Sequence, residues 1–245
     1  MHTRPPSSAF SAVLFGLSGC LVDFGARTQS VALQRLYPQR PIPTNNSLLA
    51  PSASLAEVLG RAPDSAEWQA FEQALCEAAG EHAEATPGAL AQLLALHAQG
   101  VPCAWLDELP RDASMRLATP LPDWLAGAPC RPRRPWPAPD SCWQALTDLE
   151  VNQLDGCVLI SGEPRLLQTG LNAGLWTIGL AACGPLCGLA PADWQALDAA
   201  ARERLRSQAT LALYRLAVHS VIDQLSELPA CLEDLAQRRL KGEKP

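Results

Sequence analysis

The stretch AVLFGLSGCLVDFG, Ala12–Gly25, decides the reading of this chain. An apolar run ends in small residues, the pattern of a buried strand that delivers a loop to the edge of a sheet. Phe10–Phe15 is read as that strand. Where such a loop would display a reactive side chain there is Gly16, and Ser18 follows two residues later.

Working outward, Ala26–Leu36 has helical spacing and 37–46, YPQRPIPTNN, is a proline-rich linker. From Leu48 to about Ala85 the chain is rich in Ala, Glu and Leu, with apolar positions such as Phe71, Leu75 and Ala78 at helical intervals. Thr86-Pro87-Gly88 predicts a helix start, with Thr as N-cap and Pro at the first helical position, running to Gly100. VPCAWL, 101–106, is a short buried strand with Asp107 and Glu108 just past its end. Residues 112–139 carry no assignable pattern. Further on, Ser141–Glu150 reads as a helix, 156–161 as a strand and Pro164–Ala173 as a helix. The remainder reads as a strand at 175–181, one long amphipathic helical stretch Pro191–Leu216, a strand at 219–223 and a closing helix Leu225–Leu240. Alternating strands and helices predict an α/β fold: a parallel sheet with helices on both faces. The expected core is 10–28 with 86–245, and 29–85 is a helical insertion. In such a sheet ligands sit beyond the carboxyl ends of the strands. That selects 16–20, 107–108 and 161–163.

Composition bounds the function. The chain has 245 residues, is 48% hydrophobic and 18% charged, and carries a net charge of -6. This is too apolar for disorder, and its acidity argues against nucleic acid or an anionic membrane surface as partner. Arg131, Arg133 and Arg134 form one basic cluster between prolines, read as a solvated loop. No apolar run reaches the roughly 18–20 residues of a spanning helix. The nine cysteines are dispersed. Cys183 and Cys187 have no second pair for a zinc site, so the expectation is free thiols in a reducing cytoplasm. His2, His82, His97 and His219 are scattered, and none is taken as a ligand. LSGC, Leu17–Cys20, has the form of a lipoprotein cleavage box, which leaves open an alternative in which Cys20 becomes a lipidated N-terminus.

The order of these elements resembles the haloacid dehalogenase superfamily, and within it the phosphonatase branch. The opening LFGLSGCLVDFG is similar to that branch's first motif. So are 170–206, beginning GLNAGLWTIGLAACG, the later HSVIDQLSEL, and RPWPAPDSCWQAL at 134–146. The resemblance covers most of 12–240 and is weakest at 29–85 and 112–132, which look short for the family. It implies a Rossmannoid core with a shortened α-helical cap, a homodimer formed through the cap, and four chemical parts: a nucleophilic aspartate, magnesium-binding aspartates, a Schiff-base lysine, and polar groups that grip a phosphoryl group.

Carried over position by position, those parts are replaced. The nucleophile position falls on Gly16, with Ser18 two residues on. The lysine position falls on Ala50 and a histidine position on Ala53. The phosphate-gripping hydroxyl falls near Leu106 or Asp107, an arginine on Trp136 (with Arg134 nearby), and the metal-binding aspartates on Gly162 and Leu166. Independently of any alignment, the chain has only two lysines, Lys241 and Lys244, in a polar tail. A Schiff-base lysine must lose its proton near neutral pH, which takes burial or a neighbouring cation.

The expectation is therefore a cytoplasmic pseudoenzyme that binds an unidentified protein partner or a small phosphorylated ligand. Ser18, Asp107, Ser161 and Glu163 are the candidate ligand contacts. The alternative is a rebuilt hydrolase in which carboxylates converging at the strand ends, from Asp107 and Glu108, Glu163 and Asp23, hold magnesium, a hard cation that favours oxygen ligands, with Asp107 and Glu163 as the first candidates. No other cofactor is expected.

Overall fold

The first strand owes its place to an alternation that a two-sided core demands. β1 (Ala12–Gly16) is buried throughout. Val13 and Phe15 join one apolar cluster, and Ala12 and Leu14 join another on the opposite face. β2 (Cys103–Asp107) and β4 (Cys157–Ser161) alternate in the same way. Cys103, Trp105, Val158 and Ile160 lie on the first face, and Ala104, Leu106, Cys157 and Leu159 on the second. Strands covered on both faces read as continuous apolar runs, as these do. The computed structural model describes residues 10–42, 48–129 and 134–245. Within them β3 (Ala126–Pro129), β5 (Trp176–Leu180) and β6 (Ser220–Ile222) complete a six-stranded, all-parallel sheet in the order β3-β2-β1-β4-β5-β6. In register, Leu14 sits between Ala104 and Leu159.

Three helices, α1 (Thr28–Leu36), α2 (Pro51–Leu59) and α3 (Ser65–Glu81), fall between β1 and β2, before α4 (Ala89–Ala98). α3 starts with a capping box in which the Asp64 side chain accepts from Glu67 N and the Glu67 side chain accepts from Asp64 N. Leu33, Leu55 and Phe71 of these helices belong to the same apolar cluster as Phe15 of the sheet. The chain continues through α5 (Arg111–Leu117), α6 (Asp140–Asp148), α7 (Pro164–Asn172), α8 (Pro191–Ala196), α9 (Ala199–Tyr214) and α10 (Leu228–Leu240).

Four expectations need correction. The α4 start predicted at Thr86-Pro87 lies two residues later, with Gly88 as N-cap in the left-handed region (φ 85°) and Ala89 as the first helical residue. Thr86 caps nothing. Its hydroxyl donates to the carbonyl of Cys20 and its amide to that of Leu21, tying the β1 loop to this segment. A Cβ at Gly88 would sit 2.4 Å from Ser226 N, so the close packing there takes glycine. The single helix predicted over Pro191–Leu216 is two, broken at Leu197-Asp198, where the Asp198 side chain accepts from Ala201 N at 2.7 Å and caps α9. The closing helix begins with a 3₁₀ turn, Leu225–Glu227, before α10. The unassigned 112–139 segment supplies most of α5 as well as edge strand β3.

Of the basic cluster, Arg131 and Arg133 lie outside the described residues, as does His2, while Arg134 pairs with Asp140 on the surface. No helix among the described residues is long and apolar enough to cross a membrane. The lipoprotein reading meets a physical obstacle. Cleavage before Cys20 would delete β1, which pairs with strands on both sides, and the Cys20 thiol is itself sealed in the core.

Candidate functional site

The carboxyl ends of β1, β2 and β4 bring Gly16–Ser18, Asp107–Glu108 and Ser161 with Glu163 to one cleft of about 60 Å³, walled by Gln29 of α1, Trp136, Arg165 and Leu166. This is where a parallel sheet's topology puts a ligand. Of the positions marked in the sequence, Gly16, Ser18, Asp107, Trp136, Ser161, Glu163 and Leu166 meet here. The remaining three do not. Ala50 is the N-cap of α2, between cleft residues Leu49 and Pro51, and Ala53 is exposed on α2. Gly162 is buried behind the cleft.

At two positions the space for a side chain is taken. A Cβ built on Gly16 would lie 2.6 Å from Ser161 Oγ and 3.4 Å from Leu166 Cδ2. Ser161 Oγ is held in place by accepting from Glu163 N at 2.9 Å. At Gly162 the obstacle is backbone: a Cβ would lie 2.5 Å from Gly184 Cα and 2.7 Å from Gly19 O. The loop after β5 has closed onto the loop after β4.

The polar groups that line the cleft are mostly engaged with one another. Asp107 accepts from Ser114 Oγ and from Glu108 N, each at 2.9 Å. Glu163 caps α7, accepting from Arg165 N at 3.0 Å ahead of Pro164. Glu108 and Arg165, 57 residues apart, form an ion pair at 2.7 Å. Glu108 also accepts from Trp136 N, and Arg165 donates to Trp136 O, so the pair clamps the segment before α6. Arg165 and Gln29 carry no chemical motif in the sequence, and only the position of Arg165 in the first turn after β4 could have pointed to it.

Burial pushes the Asp107 carboxyl up to about 7, against the hydrogen bonds from Ser114 and the backbone. Burial likewise pushes Glu163 up to about 7, with the charges of Glu108 and Asp107 adding to the rise and Arg165 opposing it. An acid with a raised value in the folded state binds its proton more tightly there than in the unfolded chain. Its burial is tolerated below the unfolded value, and stability is lost as pH climbs from there to the folded value. Stability should therefore fall between about pH 4 and pH 7 and level off above. Asp107→Asn should flatten the Asp107 share of that slope in urea titrations across the window. A wild-type profile that rises with pH there would refute the assignment.

The donor set does not fit the magnesium that the resemblance implies. Among the described residues no group of three or more His, Cys, Asp or Glu side chains is placed to hold a metal ion. Asp23 is buried behind the β1 loop. It accepts from Ser18 Oγ (2.8 Å), Arg27 N (3.0 Å), Thr28 N (3.1 Å) and Thr28 Oγ1 (2.8 Å), and so serves the start of α1. The Cβ space at Gly162 is closed as described. The described cysteines are free thiols, and burial pushes Cys103 and Cys183 up to about 12.

No family model matches the chain. Among characterised proteins it is 30% identical, over 172 residues, to the phosphonoacetaldehyde hydrolase of Vibrio parahaemolyticus. That match covers 67% of this chain and 63% of the relative, so the similarity spans under two thirds of that protein's length. A longer match, 26% identical over 265 residues, covers 96% of this chain and 94% of the phosphonoacetaldehyde hydrolase of Bordetella avium. Among solved structures, a phosphonoacetaldehyde hydrolase like protein from Oleispira antarctica superposes over 100% of this chain and 99% of its own, with a TM-score of 0.87 at 21% identity. Sequence and fold together give the chain a phosphonatase-like relationship within the haloacid dehalogenase superfamily, on that superfamily's α/β scaffold.

Proposed function

We propose that this chain keeps the phosphonatase scaffold without the phosphonatase reaction, and acts by binding. At the level of the superfamily its relatives are hydrolases. The observation that carries the finer reading is the filled space at Gly162. A catalytic position that had merely changed its side chain would leave room for the old one. Here the backbone of Gly19 and Gly184 occupies it, whereas at Gly16 only the movable Ser161 hydroxyl stands in the way. Lys241 and Lys244 lie in the exposed C-terminal tail, beyond the body of the fold, which favours the same reading because burial is what would activate a lysine.

Calorimetric titration with magnesium chloride tests the loss of the metal-assisted reaction. No saturable heat is expected. Saturable magnesium binding that Glu163→Gln abolishes would contradict it.

A second reading draws on the carboxyls of Asp107 and Glu163. A carboxyl near 7 facing a cleft is suited to general acid or base work, and hydrolysis in such a rebuilt site would depend on both residues.

A further inference from the structure

Away from the cleft, a second and larger cavity of about 360 Å³ opens between the Asp23–Arg27 turn, the end of α3 and the α8–α9 corner. This volume lies in the range of small-molecule sites. We propose that this cavity binds a small organic anion with a flat apolar body. The inference goes beyond the reading above and holds whether or not the first cleft hydrolyses anything.

Three features of the cavity specify that ligand. The apolar wall is Phe24 and Trp194, with ring centres 6.4 Å apart and planes tilted by 51°, flanked by Pro87 and Pro191. A flat apolar body has two aromatic surfaces to meet. The cationic side comes from Arg27 and Arg202. Arg27 Nε donates to Phe24 O, but its two terminal nitrogens have no hydrogen-bond partner among the described residues. Arg202 donates Nε and Nη2 to the carbonyls of Leu197 and Gln195 and keeps Nη1 free of any described acceptor. Glu84, exposed at the lining, is the one carboxylate among the lining residues, so the cations outnumber it. A planar guanidinium with free donors favours a carboxylate, sulfonate or phosphate.

The third feature is His82, 7% exposed and facing this cavity. Its Nδ1 lies 3.2 Å from Thr28 Oγ1, whose own proton goes to Asp23. Nδ1 therefore donates, and the neutral ring carries its lone pair on Nε2. Burial, with Arg27 assisting against Asp23, holds the ring below its ordinary value and so neutral. Nε2 has no partner among the described residues. It is an acceptor available to a ligand N–H or O–H.

Two fluorescent probes separate the terms of this proposal. Anilinonaphthalene sulfonate carries an aromatic body, an N–H and an anionic group, and N-phenylnaphthylamine lacks the anion. The intact protein should bind one sulfonate probe per chain, about tenfold or more tightly than the neutral one, as a charge-assisted contact to arginine would give. Arg27→Gln and Trp194→Ala should each weaken the sulfonate probe by about tenfold. Arg202→Gln, on an exposed side chain, should weaken it several-fold and serves if Trp194→Ala does not fold. Equal affinity for both probes, or no change in Arg27→Gln and Arg202→Gln, would overturn the proposal. So would binding that responds to Glu108→Gln instead, since that places the probe in the first cleft. Loss of the site as the protein self-associates would also overturn it, by assigning the surface to a second copy of the chain.

Discussion

Replacing Asp23 with alanine is expected to lower stability by about 3–5 kcal/mol, which for a chain of this size moves the thermal midpoint down by on the order of 10 °C. The Asp23 side chain is fully buried and accepts four hydrogen bonds, two from backbone amides at the start of α1 and two from the hydroxyls of Ser18 and Thr28. Removing it leaves the buried amide and hydroxyl of Thr28 without their acceptor, at about 1–3 kcal/mol for each, while the part-buried donors of Ser18 and Arg27 lose less. Asp23 also sits at φ 54°, a conformation that Asp and Asn tolerate better than Ala. Asp23→Asn should therefore recover a large part of the loss. Urea denaturation of both variants checks the ordering. A loss under about 1 kcal/mol in Asp23→Ala would show that the turn does not depend on this carboxylate.

The second large effect is expected from placing an aspartate at 162. Gly162→Asp should cost at least about 3 kcal/mol, because the obstructing atoms, Gly184 Cα and Gly19 O, belong to backbone and cannot rotate away. It would also bury a carboxylate against the carbonyl oxygen of Gly19. Gly16→Asp should be far milder. Its nearest obstacle is Ser161 Oγ, which a change of rotamer clears at the loss of the hydrogen bond from Glu163 N, about 1 kcal/mol. Thermal melts of the two variants should differ accordingly. Equal stability of both would mean that the loops at Gly162 and Gly184 separate easily, and the closed-site account would fail.

Much of this architecture was legible in the sequence because its signals are local. The runs at Ala12–Gly16, Cys103–Asp107 and Cys157–Ser161 carry apolar residues on both faces, and helix-start residues such as Glu163-Pro164 speak for themselves. β3 was not legible, since its residues AGAP include none with strand preference. It forms because β2 offers an edge and because Gly127 leaves room for the Trp105 ring, which a Cβ would approach to 2.3 Å. The break at Leu197-Asp198 was hidden because both sides keep helical composition and only the cap at Asp198 marks it.

The site divides along the same line. Its location followed from topology, since strand ends must converge. The Glu108–Arg165 clamp on Trp136, the burial of Asp107 against Ser114 and the closure of Gly162 on Gly184 join residues from 7 to 57 positions apart, and no local pattern encodes them. The Thr86 reading failed for a related reason. A residue with a capping composition was recruited by the carbonyls of a loop more than sixty positions away.

The central claim is that the scaffold has outlived its reaction, and phosphate release tests it most directly. Purified protein with magnesium would be incubated with phosphonoacetaldehyde, and in parallel with p-nitrophenyl phosphate, with free phosphate followed by phosphorus NMR and p-nitrophenol by absorbance. The account predicts release no faster than in buffer at any protein concentration. Release that scales with protein and disappears in Asp107→Ala or Glu163→Ala would contradict it.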